Sequence, residues 1–173
     1  MKSLVLYESM FGHTRRIADQ IASALESFGE ASTQSIETAG DDALDADLIV
    51  LGAPTHAHSL PSPRSRAEAA DWAADPDRHL TLEHRLQDPG LREWLDALRR
   101  APKAWAAFAT RVDMPRILAG NGAAAIERRM RHFDVPPLLE GECFLVTLDD
   151  GELLVDELDR ARAWGGALGR AAT

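Results

Sequence analysis

Apolar positions change their period along this chain, and the changes mark out its elements. Leu4-Val5-Leu6-Tyr7 is an unbroken apolar run, the pattern of a strand buried on both faces, and it predicts a strand over Lys2–Tyr7. From Gly12 the spacing becomes helical. Ile17, Ile21, Leu25 and Phe28 share one face, Arg15, Arg16, Asp19 and Glu26 fall elsewhere on the wheel, and Gly29 is placed to end the helix. A weaker strand is predicted over 31–35, and the acidic stretch 41–45 reads as a solvated turn or helical connection. Leu48-Ile49-Val50-Leu51 predicts a strand over 47–52 that cannot continue regularly through Pro54. Further strands are predicted over 103–109 and 142–148, the latter closed by a turn at Asp149-Asp150-Gly151. Helices are predicted over 123–133 and from about Asp156. The last turns Leu158, Ala161, Gly165 and Leu168 inward, and its glycines would allow close packing on the sheet.

Strands alternate with helices throughout. Parallel strands need crossover connections, and those are right-handed, so the simplest architecture is an α/β fold with an open parallel sheet and helices on both faces. The segment 60–101 breaks the rhythm. Within it 65–74 and 91–99 read as helices, with turns at Asp75-Pro76-Asp77 and Asp88-Pro89-Gly90. It has too few large apolar residues for a core of its own, and is read as an elaborated helical connection inside a single domain spanning 1–173.

The 173 residues suffice for one full core. The net charge of −9 disfavours nucleic acid and anionic membranes as partners and suits a protein with a basic docking face. The single cysteine, Cys143, lies in an apolar stretch and reads as a core residue. No signal peptide or membrane span is read from the sequence, and a cytoplasmic location is the expectation. His79 and His84 read as solvated, and Arg128, Arg129 and Arg131 as the wet face of their helix. Arg64 and Arg66 fall near the predicted mouth of the sheet, where they would meet an acidic partner or substrate or remain plain surface arginines. Trp94, Trp105 and Trp164 are read as core or interhelical fillers.

In an open α/β sheet, ligands bind beyond the carboxyl ends of the strands, where the strand order reverses. Three loops are therefore singled out: 8–14, 53–61 and 110–116. A helix beginning near Gly12–Thr14 presents unpaired amides and a positive dipole end to an anion, Ser9 and Thr14 add hydroxyls, and Gly12 permits close approach. The alternative role for Ser9 or Thr14 is to cap that helix. Other chemistries lack their signatures. The Walker lysine is absent, since His13-Thr14-Arg15 stands in its place, and there is no GxSxG elbow. Gly120-Asn121-Gly122-Ala123-Ala124-Ala125 has GxGxxA spacing but follows the wrong strand, and reads as a helix start. His56 and His58 would make half a metal site, without a further ligand at suitable spacing.

The stretch YESMFGHTRRIADQIA resembles the phosphate loop and first helix of the flavodoxins. LIVLGAPTHAHSLPSPRSR, LREWLDAL and AAFATRVDMPRILAGNGA are similar to a branch of that family common in actinobacteria. The resemblance implies a flavodoxin-like, five-stranded parallel sheet of order 2-1-3-4-5 that binds FMN. Carried over by position, Ser9, Met10, Phe11, Gly12, His13 and Thr14 would cradle the phosphate. Pro54, Thr55, His56, Ala57 and His58 would flank one side of the isoalloxazine. Thr110, Arg111, Val112 and Asp113 would flank the other and meet the pyrimidine edge through backbone groups. It implies an electron-transport flavoprotein whose partner is a redox protein or a small-molecule acceptor. No catalytic acid or base is assigned, because electron transfer needs none. Two other readings stay open: an oxidoreductase of the same fold passing electrons from NAD(P)H to quinones, and a module that has lost the flavin. The flanking loops depart from the family in having no Trp, Tyr or Phe; His56, His58, Met114, and Trp72 folding back from the added segment, are the available substitutes.

Overall fold

Five parallel strands form one sheet in the order β2-β1-β3-β4-β5, as expected. In chain order the elements are β1 (Lys2–Tyr7), α1 (His13–Leu25), β2 (Glu30–Ser35), β3 (Leu48–Pro54), α2 (Pro63–Ala74), α3 (Leu91–Ala97), β4 (Trp105–Val112), α4 (Arg116–Ala119), α5 (Gly122–Met130), β5 (Glu142–Val146) and α6 (Glu157–Ala172). The computed structural model describes residues 1–78, 80–83, 89–147 and 152–173. The readings of His79, His84, Asp88 and the turn at 149–151 fall outside the described residues.

Two-face burial explains the apolar runs. Successive residues of a strand point to opposite faces. Leu4, Leu6, Ile49, Leu51, Trp105 and Ala107 therefore join one core cluster, with α3 and α5. Val5, Tyr7, Leu48, Val50, Ala106 and Phe108 join the other, against α1 and α6. Leu60, Leu91, Leu95 and Leu98 belong to the first cluster, so the added segment packs on the sheet and shares its core. Cys143 is buried there too. Trp105 is buried and donates its indole N–H to the Val135 carbonyl at 2.8 Å, while Trp164 lies edge-on to Phe108 and Phe144.

Two strand ends and one packing contact differ from the sequence reading. β3 runs on to Pro54 at its carboxyl end, where a missing amide costs the ladder least. β4 continues to Val112 because Thr110, Arg111 and Val112 find partners in Phe144, Leu145 and Val146 of β5. The glycines of α6 serve a neighbouring helix rather than the sheet. A Cβ at Gly165 would lie 2.8 Å from the Ile21 carbonyl of α1, and one at Gly169 would lie 2.2 Å from the Phe28 ring.

Candidate functional site

The chain steps from β1 to β2 on one side and then to β3 on the other, so the order reverses between β1 and β3. The three singled-out loops meet at this carboxyl edge. Thr55 donates its amide to the Thr110 carbonyl at 2.7 Å, and the hydroxyls of Thr14 and Thr110 are 2.8 Å apart and buried. These contacts tie the loop after β3 and the start of α1 to the end of β4.

The first loop runs from Glu8 to Gly12. Gly12 is the N-cap of α1, with φ at +90°, and no side chain caps the helix. The Ser9 hydroxyl accepts from the Gly12 amide at 3.2 Å, and Thr14 is engaged with Thr110. Neither hydroxyl therefore takes the capping role. The first amides of α1 have no carbonyl one turn earlier, and they carry the positive end of the dipole. Met10 is buried beneath the loop, while Phe11 and His13 are half-buried beside it.

The second loop is a tight reversal. His56 and Ser59 exchange backbone hydrogen bonds of 2.8 and 2.9 Å, and Ala57 and His58 between them both have left-handed backbone, φ +45° and +67°. This is the geometry of a type I′ turn without the usual glycine. The loop is fastened to the start of α5. The Gly122 amide donates to the Thr55 hydroxyl at 3.0 Å, and His58 pairs with Gly120. The GxGxxA stretch is thus a helix start, capped by the Asn121 side chain on the Ala124 amide. The His56 ring lies 5.9 Å from the Trp72 ring, so Trp72 does fold back to this loop from α2. Burial lowers the His56 pKa, outweighing the nearby Glu68 carboxylate, and the ring is neutral at pH 7.

The third segment lies on β4 and in the short turn after it. Several of its backbone groups already have protein partners: the Thr110 carbonyl takes the Thr55 amide, and Asp113 donates to Val146 at 2.9 Å. Arg111 curls over the turn and donates to the carbonyls of Val112 and Met114 at 3.1 and 2.6 Å. Its Nε is buried without a hydrogen-bond partner among the described residues.

This arrangement has counterparts among known proteins. Residues 4–66, which contain the first two loops, match the family model described as Flavodoxin domain. Among solved structures, the chain is similar to oxidised Flavodoxin 1 from Bacillus cereus (TM-score 0.66, 17% identity, 98% of each chain covered). It is likewise similar to a flavodoxin from the domain Archaea (TM-score 0.64, 15% identity, 99% of each chain). A third similar structure is that of a flavodoxin, WrbA-like protein from Agrobacterium tumefaciens (TM-score 0.57, 21% identity, 99% of this chain and 96% of that one). The fold is flavodoxin-like. No curated protein matches the sequence at a significant level.

In this flavodoxin-like fold the added segment returns over the first loop in two ways that its sequence does not signal. Arg66, expected at the mouth, is buried in α2. It donates to Glu8 and Glu93 at 2.7 Å each, while the exposed Arg64 pairs only with Glu68 among the described residues. Glu83, which no motif marks, donates its amide to the Met10 carbonyl at 2.9 Å and pairs with Arg15. Among the described residues no His, Cys, Asp and Glu side chains gather as a metal site, and no helix is long and apolar enough to cross a membrane.

The strained second loop makes a direct prediction. Ala57 is exposed, and an L-residue with left-handed backbone costs on the order of 1–2 kcal/mol, part of which glycine returns as unfolded-state entropy. Ala57→Gly is expected to stabilise the protein by about 0.5–1 kcal/mol, raising Tm by roughly 1–4 °C in calorimetry. A lowered Tm would show that the turn is not strained.

Proposed function

We propose that the chain binds FMN at this edge and works as an electron-transfer protein. The observation that carries the reading is the uncapped amino end of α1 behind a left-handed Gly12, at the strand reversal and within reach of two hydroxyls. Ser9 through Thr14 would hold the phosphate by amide and hydroxyl hydrogen bonds. Pro54 through His58, backed by Trp72, would wall one side of the ring system, and Thr110 through Asp113 the other. The flavin supplies the electron chemistry. The chain's own work is to bind, orient and shield it. Thr14 and Thr110 lock α1 to β4, so the phosphate end and the ring end of the site share one rigid frame. The neutral, half-buried His56 adds no charge beside the ring. The net charge of −9 supports docking to a basic face of a redox protein.

Purified protein mixed with FMN is expected to turn yellow and to quench the free flavin's fluorescence. Gly12→Ala places a methyl in the cradle, and Thr14→Ala removes the tie to β4. Each charge-assisted hydrogen bond to phosphate is worth about 1.5–3 kcal/mol. Loss of one therefore predicts FMN binding weaker by roughly tenfold or more, with riboflavin binding little changed in Gly12→Ala. Titrations in which both variants keep wild-type FMN affinity would remove the assigned phosphate site. Steady-state oxidation of NAD(P)H with a quinone separates an enzyme of this fold from a carrier, which sustains almost no turnover.

A further inference from the structure

We propose that the Glu83 carboxylate competes with the flavin's phosphate for the mouth of α1, so that FMN is taken up only when Glu83 gives way. The proposal rests on the FMN reading and concerns how that site is controlled.

Three observations place Glu83 there. Its backbone is held over the phosphate loop by the 2.9 Å hydrogen bond from its amide to the Met10 carbonyl. Its side chain lies against Gly12: a Cβ added to Gly12 would be 3.4 Å from both the carboxyl carbon and Oε1. Its Oε1 pairs with Nε of Arg15, in the first turn of α1. The carboxylate thus takes the place and the counter-charge that an anion at this helix end would use.

The fourth observation concerns what Glu83 lacks. Its side chain is 13% exposed, and Oε2 is buried with no hydrogen-bond partner among the described residues. A buried carboxylate oxygen left without a donor is a cost, which a contact selected purely for stability would avoid. Glu83 therefore holds its place with Arg15 and Met10 but without full satisfaction, the condition for a group that an anion with more oxygens can displace. The surrounding field adds to this. Asp19 also faces Arg15, at 3.5 Å, and the Tyr7 phenol is held above its ordinary pKa by burial first and by Glu83 next. A phosphate entering beside an undisplaced Glu83 would meet like charge at close range in a partly desolvated setting, where Coulomb repulsion is large.

Displacing Glu83 frees Arg15 as well. Its guanidinium, 44% exposed and attached to the helix turn behind the cradle, could then serve the phosphate. Ligand for ligand, the exchange swaps one carboxylate on Arg15 for a phosphate on Arg15 and the helix amides.

The test compares FMN with riboflavin, which has the same ring system and no phosphate, by fluorescence titration of wild type, Glu83→Gln and Glu83→Ala, with thermal melts to show that each is folded. Glu83→Gln keeps the shape and removes the charge. The expected result is FMN affinity raised about tenfold or more in both variants, with riboflavin affinity within about twofold of wild type. FMN and riboflavin affinities that shift together, or an FMN affinity that stays at the wild-type value or falls, would overturn the competition while leaving the flavin site standing. A protein that binds FMN in none of the three forms would overturn the flavin site and the competition with it.

Discussion

Arg66→Ala is expected to cost this protein about 3–5 kcal/mol, the usual loss when one member of a buried ion pair is removed and its partner is left behind. For a chain of this size that corresponds to a Tm lowered by roughly 6–20 °C. Arg66 is 3% exposed and joins two carboxylates, Glu8 Oε1 and Glu93 Oε2, at 2.7 Å each. The carboxylates are also acceptors for the first amides of α3: Leu91 donates to Glu8 and Gly90 to Glu93, both at 2.9 Å. One guanidinium therefore ties the loop after β1, α2 and α3 together, and without it Glu8 is a buried charge left with the Leu91 amide as its donor among the described residues. Changing Glu8→Leu together with Arg66→Met removes both charges and should lose less than the two single changes summed.

Acid supplies a second check. Burial works to raise the Glu93 pKa, but Arg66 and the Gly90 amide outweigh it and hold it below its ordinary value of 4.5. A carboxyl with a depressed folded-state pKa contributes stability in full above its unfolded value and loses it as pH falls through the folded one. The gap between wild type and Arg66→Ala should therefore be widest at neutral pH and narrow below about pH 4.5. A neutral-pH difference below about 1 kcal/mol in urea melts would place this cluster with surface ion pairs and refute the clamp.

Gly120→Ala is expected to cost about 2–4 kcal/mol, with strain from the left-handed backbone and overpacking adding together. Gly120 has φ +81°, and a Cβ there would lie 2.2 Å from Cα of His58 and 2.6 Å from its carbonyl carbon and oxygen. These are backbone atoms, so no change of rotamer relieves the clash. The pairing of Gly120 with His58 must open, which shifts the 56–59 turn and the wall it is proposed to form for the flavin. FMN affinity should fall by more than tenfold, and riboflavin affinity with it, because the contact lies at the ring end of the site and not at the phosphate end. Gly166→Ala on α6 is the matched control. Among the described residues its Cβ meets only the far end of the Arg170 side chain, at 3.4 Å, so stability should hold or rise by up to about 1 kcal/mol. Gly120→Ala protein with wild-type melting and wild-type affinity for both flavins would show that the two loops are not coupled.

Much of this molecule is legible in its linear pattern. The Leu4–Tyr7 and Leu48–Leu51 runs announce strands covered on both sides, and Ile17, Ile21 and Leu25 announce the helix that covers one of them, because burial and periodicity are properties of neighbours in sequence. The loop 8–14 is legible as a glycine-marked helix start for the same reason: a strand end, a glycine and the first turn of α1 lie within a few residues. The strand order came from likeness to a family and not from the pattern.

Contacts made at long range were not legible. Polar Thr110 and Arg111 extend β4 only because β5 lies alongside to pair with them. The glycines of α6 read as sheet contacts, yet α1 occupies that face. Arg66 reads as a surface arginine until Glu8, 58 residues away, is brought beneath it. Glu83 carries no local signal at all, and its meaning comes from Arg15, 68 residues earlier, and from the amino end of α1. Local spacing thus suffices for the elements and for the helix start after β1, while the ion pairs gathered around it were settled by chain return, since an ion pair depends on distance in space and leaves no period in the chain.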